Sequence, residues 1–241
     1  MIKLSDILVD RAKKPFAVRC DKPSVVWRAA NEKQTAYRIG VAKLHYKEIN
    51  GQFDVYDSGV TESEETIGHA VGTKLEPCTT YYVSVTIYGE NGGKDSAVVR
   101  FRTELSPNDW KGHWTFMPLN SVGGSSLYRK SIVLPGEPVE EAFAYCAGIG
   151  CHELFVNGEK TDDRLFSPVN SDYEKRIYYT VYELTGQLVA GENVIGVELA
   201  PWWYGSKKLM FQLYVTLKNG ETFELHSSAG DGWWERGGAV K

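Results

Sequence analysis

Apolar and polar residues alternate with a period of two along most of this chain, which is the pattern of half-buried β-strands. The clearest run is Leu75-x-Pro77-x-Thr79-x-Tyr81-x-Val83-x-Val85, where the alternation places Tyr81, Val83 and Val85 on one face. Before it, Val25-Val26-Trp27 follows Pro23, residues 36–41 alternate, and Phe53-Asp54-Val55-Tyr56 leads to a Ser58-Gly59 turn; after it, residues 97–101 form a last strand. A polar, proline-containing stretch follows at 104–109. The pattern then resumes, with strands predicted over 127–134, 141–147, 153–156, 177–181, 194–199, 209–217 and 222–226. In the last two, Leu213, Val215 and Leu217 face one way, and Phe223 and Leu225 complete the same layer. No stretch sustains a helical period.

Four Asn-Gly pairs, Asn50-Gly51, Asn91-Gly92, Asn157-Gly158 and Asn219-Gly220, lie between apolar-rich runs. Two residues that both accept positive φ predict type I′ hairpin turns at these places. The polar stretch at 104–109 reads as a linker, so two domains are expected, 1–104 and 109–241. In the first, Leu75 and Pro77 turn the chain over the end of a sandwich, and the Tyr81 hydroxyl is expected to bond back to an upstream backbone group. With Trp27 as the large inner side chain, residues 15–103 resemble a fibronectin type III domain. The eight or so strands of the second domain, with their long connections, suggest a jelly-roll sandwich. The expected fold class is therefore all-β: a fibronectin III/immunoglobulin-like sandwich followed by a jelly-roll β-sandwich.

Composition narrows the function. The chain is 42% hydrophobic and 24% charged, ordinary for a globular protein with real cores. A net charge of -4 without any Lys/Arg cluster argues against nucleic acid as a partner. Lys3, Asp6 and Asp10 interrupt what would have to be an apolar signal core, and no long apolar run occurs, so no membrane partner and a cytoplasmic location are expected. Cys20, Cys78, Cys146 and Cys151 have neither Cys-x-x-Cys spacing nor a nearby His pair, so free, mostly buried thiols are expected rather than a zinc or redox site.

Catalytic motifs are lacking. Gly148-Ile149-Gly150 is followed by Glu153 where a dinucleotide loop needs its third glycine, and by a strand where it needs a helix. The adjacent acids Glu64-Glu65, Glu140-Glu141 and Asp162-Asp163 sit in polar, turn-like stretches and read as solvated surface. There is no Gly-x-Ser-x-Gly elbow, and the histidines have no metal-ligand spacing. No catalytic residue is therefore expected. The stretch Pro201-Trp202-Trp203-Tyr204 is different, because neighbouring rings on an extended chain face opposite ways and at least one must be presented outward. A pyranose packs its C–H faces on aromatic rings and bonds its hydroxyls to planar polar groups. Tyr173, Trp202, Trp203 and Tyr204 are candidates for the faces, and Asn170, Asp172 and Arg176 for the polar groups. The competing account is that the rings plug the sandwich or face a neighbouring domain and that Arg176 makes a surface ion pair.

An ordered series of motifs carries a family resemblance. Trp110-x-x-x-Trp114, Leu127-Tyr128-Arg129-Lys130, Ala147-Gly148-x-Gly150, the run from Glu153 to Gly158, Pro168-x-x-x-x-Tyr173-x-x-Arg176 and Gly191-Glu192-Asn193-x-Ile195-Gly196-Val197 follow one another. In this order they resemble the N-terminal half of family 78 α-L-rhamnosidases, and Gln34-Thr35-Ala36-Tyr37-Arg38-Ile39 is similar to a strand of that family's fibronectin-like domain. The chain departs from the pattern at Cys151, where an aromatic is common, and at Ala200-Pro201-Trp202 before the Trp-Tyr pair. The resemblance implies an inverting glycoside hydrolase acting on terminal L-rhamnose, with its catalytic carboxylates on a helical barrel beyond Trp234. The implied partners are that catalytic domain and an L-rhamnose-containing glycan, and this chain alone is expected to be inactive. Some sandwiches of the family hold rhamnose through calcium, but the Asp and Asn residues here lack a calcium-loop spacing, so no cofactor is expected and calcium stays open only as what the resemblance implies. Two other readings stay open, a free-standing carbohydrate-binding module and an interaction protein built from two sandwiches.

Overall fold

The computed structural model describes residues 1–43, 51–116, 124–202, 207–228 and 233–237, with only the backbone described for 116 and 234–237. The chain divides into two compact units, Met1–Asn108 and Asp109–Lys241.

The first unit holds strands β1 (Lys3–Val9), β2 (Ser24–Ala30), β3 (Gln34–Ala42), β4 (Tyr56–Asp57), β5 (Thr61–Glu62), β6 (His69–Ala70), β7 (Thr80–Gly89) and β8 (Lys94–Arg102). They form two antiparallel sheets, β1-β2-β6 and β4-β3-β7-β8, with β5 also on β3. Val25 and Trp27 from the first sheet meet Ile39, Val41, Val83, Val85, Ile87 and Phe101 from the second in one core. The expected corner is present: Tyr81 is buried, and its hydroxyl accepts a hydrogen bond from the Glu76 N–H at 3.0 Å.

Two expectations for this unit need correction. Strand β1 was not visible in the sequence pattern, although Ile2, Leu4 and Val9 are buried. A register irregularity between Ser5 and Leu8, with Asp6 at φ 50°, breaks the alternation by which a strand is recognised. The strand expected at 53–56 shrinks to Tyr56–Asp57. Phe53 instead lays its ring where a β-carbon on Gly40 would stand, 2.2 Å away, with the Arg38 guanidinium 5.2 Å from the ring centre.

The turns also differ in type. Asn157 and Gly158 both have positive φ, 53° and 89°, as a type I′ hairpin requires. At Gly92 and Gly220 only the glycine does. Gly92 N–H donates to Gly89 and Gly89 N–H donates to Gly93, which closes a three-residue loop ending in a left-handed glycine; Leu217, Gly220 and Glu221 repeat the arrangement. Asn50 lies outside the described residues.

The second unit holds β9 (Thr115–Phe116), β10 (Ser126–Leu134), β11 (Val139–Gly148), β12 (Cys151–Val156), β13 (Glu159–Lys160), β14 (Tyr179–Glu183), β15 (Gly191–Ala200), β16 (Lys208–Leu217), β17 (Thr222–His226) and β18 (Trp234–Gly237). Two antiparallel sheets, β13-β12-β15-β10-β18 and β14-β11-β16-β17 with β9 beside β16, make the jelly-roll sandwich. Tyr128, Leu154, Ile195, Val197 and Leu199 from one sheet pack on Ala144, Cys146, Phe211, Leu213 and Val215 from the other. Leu225 pairs with Leu213 and Phe223 with Val215, so β17 extends this layer as the alternation predicts. Gly150 takes φ 131°, and a β-carbon there would lie 2.2 Å from the Ala200 carbonyl oxygen, so this glycine serves strand packing. All four cysteines are free, but only Cys146 is fully buried and the other three are half-buried. Among the described residues no helix is long and apolar enough to cross a membrane.

Candidate functional site

Most of the sequence-predicted site residues fall in the connection from β13 to β14, residues 161–178. The strand expected to begin at 177 begins at Tyr179, and Asp172 organises a turn before it. The Asp172 carboxylate accepts from the Glu174 N–H at 3.2 Å, and its carbonyl accepts from Lys175 and Arg176 at 3.0 and 2.8 Å. Ser171 Oγ closes the same turn by donating to the Arg176 carbonyl at 2.6 Å. An aspartate satisfying backbone donors two residues on is the ordinary chemistry of such turns.

The loop is pinned to the sandwich at several points. Thr161 donates to the Leu154 carbonyl from both its N–H and its hydroxyl, at 2.9 and 3.0 Å. Arg164 pairs with Asp162, donates to the Val181 carbonyl at 3.0 Å, and lies 4.4 Å from the centre of the Tyr182 ring. His152 N–H donates to the Ser167 carbonyl at 2.6 Å, and Gly150 N–H donates to the Tyr173 hydroxyl at 3.0 Å. The Ser167-Pro168 peptide is cis.

The candidates thus have distinct surroundings. Tyr173 is half-buried and engaged with Gly150; Asp172 is exposed and engaged with its own turn and with Lys175 Nζ at 3.0 Å. Arg176 is exposed, its guanidinium 5.9 Å from the centre of the Tyr178 ring. Asn170 is half-buried, and its Oδ1 is buried without a hydrogen-bond partner among the described residues. Trp202 is half-buried with its ring 6.1 Å from that of Phe166. Trp203 and Tyr204 lie outside the described residues. No group of three or more His, Cys, Asp or Glu among the described residues could hold a metal ion.

Two features escaped sequence reasoning. Leu165, Phe166 and Val169 are exposed by 68, 66 and 70% on this loop, and Phe166 takes φ 53°. The available signal was three bulky apolar residues in a segment without strand alternation. The other feature is His152 on β12, which points inward and is fully buried, neither ring nitrogen having a hydrogen-bond partner among the described residues. Burial, with Arg164 nearby, pushes its pKa down to about 3, so the ring is neutral. No sequence signal distinguishes it from an ordinary strand histidine.

Comparison with known proteins connects this geometry to a family. Residues 4–106 match the family described as Rha78A-like, N-terminal immunoglobulin domain, and residues 137–237 match the alpha-L-rhamnosidase N-terminal domain. The two units belong to the N-terminal domain families of α-L-rhamnosidases. An α-L-rhamnosidase of Formosa agariphila is 27% identical over 229 residues, which is 83% of this chain and 24% of that protein. One of Streptomyces avermitilis is 31% identical over 90 residues, 37% of this chain and 9% of the protein. Among solved structures, the α-L-rhamnosidase from Dictyoglumus thermophilum superposes with a TM-score of 0.85 at 28% identity, over 98% of this chain and 30% of that one. The enzyme from Aspergillus terreus shares the fold, with a TM-score of 0.78 at 20% identity. This rhamnosidase N-terminal region spans about a quarter of the length of its curated Formosa relatives.

Proposed function

We propose that this chain is the non-catalytic N-terminal part of an α-L-rhamnosidase, and that its two sandwiches support a catalytic domain that releases terminal L-rhamnose. The observation that carries the reading is the ordered pair of family matches, on a chain that covers only 24% of a Formosa α-L-rhamnosidase and 30% of the D. thermophilum enzyme. The chemistry points the same way. Inversion needs two carboxyl groups about 6.5 to 9.5 Å apart across a cleft. Of the acids weighed from the sequence, Glu64 is exposed and paired with Lys33, Glu140 is exposed on β11, and Asp162 is taken up by Arg164. Each of these three is paired with a cation or solvated.

A second reading, sugar contact by the loop at 161–178, draws on the buried Asn170 Oδ1 and on the Phe166–Trp202 ring pair. A titration with L-rhamnose followed by NMR shifts separates the two. Shifts confined to Asn170 and Trp202, saturating near a Kd of about 1 mM, favour contact, and none at tens of millimolar removes it.

The support role is tested by exchange. The matched 30% of the D. thermophilum enzyme is replaced by this chain, and the chimera is compared with the same enzyme lacking that segment. The chimera is expected to hydrolyse an aryl α-L-rhamnoside and to melt at a higher temperature than the truncated enzyme. A chimera no more stable or active than the truncated enzyme overturns the reading.

A further inference from the structure

Leu165, Phe166 and Val169 place three bulky apolar side chains in solvent within five positions of one loop, each at least 66% exposed. Single exposed apolar residues need no explanation, and Val60, Val133 and Val189 are of that kind, on other segments. A cluster on one hydrogen-bonded loop is different, because soluble proteins rarely leave apolar patches larger than a few hundred Å² uncovered. We propose that Leu165, Phe166 and Val169 form the surface on which the remainder of an α-L-rhamnosidase docks; the inference rests on the support role above.

The chemistry of the patch selects a protein surface as its occupant. Leu165 and Val169 carry no polar atom, whereas a sugar ring has hydroxyls around its circumference that need donors and acceptors. Its charged flanks, 162–164 and 172–176, give the loop an apolar centre between polar ends, which is the composition of a protein interface. The loop is also held in place before any partner arrives, by His152 to Ser167, Arg164 to Val181 and Gly150 to Tyr173. A pre-ordered patch loses little freedom on docking. Phe166 is held at φ 53°, a region bulky side chains rarely enter, with its ring against Trp202. The occupant follows from length: 70% of the D. thermophilum chain and 76% of a Formosa relative lie outside the part that this chain matches.

The test uses the D. thermophilum chimera beside the free 241-residue chain. A triple variant carries Leu165→Glu, Phe166→Asn and Val169→Glu, the asparagine being chosen because it tolerates the left-handed backbone. A control carries Val133→Glu. Amide exchange at 164–170 is expected to be at least tenfold slower in the chimera than in the free chain. The triple variant is expected to shorten the chimera's half-life at high temperature at least tenfold while leaving the free chain's melting unchanged, and the control to do neither. Equal exchange in both contexts overturns the docking surface even if the chimera is stable and active, so the support role would survive its loss. A chimera no better than the truncated enzyme overturns both. Self-association of the free chain that the triple variant abolishes would make a second copy the occupant, and exchange slowed by L-rhamnose in the free chain would make it a sugar; either result overturns the proposal.

Discussion

The hydroxyl of Tyr173 accepts a hydrogen bond from the backbone N–H of Gly150 at 3.0 Å, which ties the loop after β13 to the turn between β11 and β12. Gly150 itself packs so closely on Ala200 that a β-carbon there would lie 2.2 Å from the Ala200 carbonyl oxygen. The tyrosine is therefore a strut for the loop that presents Phe166. Tyr173→Phe removes one hydrogen bond, about 1 kcal/mol, and is expected to speed amide exchange at 164–172 more than in the strands. Unchanged exchange there would mean that the loop is held without this contact.

Tyr81 does the equivalent for the first unit, accepting from Glu76 at 3.0 Å while its ring stacks on Phe101. Tyr81→Phe keeps the ring and is expected to lower the unit's stability by about 1 kcal/mol. A urea midpoint that does not shift would show that the hydroxyl contributes nothing to the corner.

Gln34 joins three segments of the first unit. Its Oε1 accepts from Trp27 Nε1 at 2.8 Å, and its Nε2 donates to the carbonyls of Ser63 and Glu65 at 3.0 and 2.9 Å. Gln34→Leu strands a buried indole N–H, so a loss of about 2 kcal/mol is expected, larger than for Tyr81→Phe. A loss smaller than that of Tyr81→Phe in the same urea titration would contradict the network.

His152 makes the second unit sensitive to acid. Its folded pKa is pushed by burial to about 3, against 6.5 for the free ring, so below 6.5 the unfolded chain takes up a proton that the folded chain refuses. The stabilisation is fully present above 6.5 and is lost as the pH falls toward 3, at ~1.4 kcal/mol per pH unit. Between pH 6.5 and 5, where carboxylates titrate little, the wild-type unit is expected to lose stability on this slope and His152→Leu to lose it much more slowly. Parallel slopes for the two proteins would show that the ring is protonated in the folded state.

These cases also show what the sequence exposes and what it hides. Strands β7, β16 and β17 were legible because their inward apolar residues, Tyr81 to Ile87, Leu209 to Leu217 and Phe223 with Leu225, recur with a period of two, and the corner because Leu75, Pro77 and Tyr81 stand at fixed offsets. Strand β1 was hidden by the irregularity at Asp6, which moves apolar residues out of phase. Gln34 carries no sign of burial in its residue type, yet it is buried with three hydrogen bonds satisfying its amide. In the candidate site, residue type marked Tyr173 and Asp172 as ligand groups but could not reveal that a hydroxyl and a carboxylate were already engaged with backbone. Leu165, Phe166 and Val169 went unremarked for the converse reason: apolar residues are assigned to the core by default, and only the fold shows these three left outside it.

The central claim is that this chain contributes support and not chemistry, and the purified chain incubated with an aryl α-L-rhamnoside tests it most directly. Inversion demands a raised-pKa acid and a separate base in a shaped cleft, so the account predicts no hydrolysis above the buffer rate while the chimera with a catalytic domain turns over. Hydrolysis that follows the 241-residue chain through purification, and disappears when one of its own Asp or Glu residues is replaced by its amide, would contradict the account.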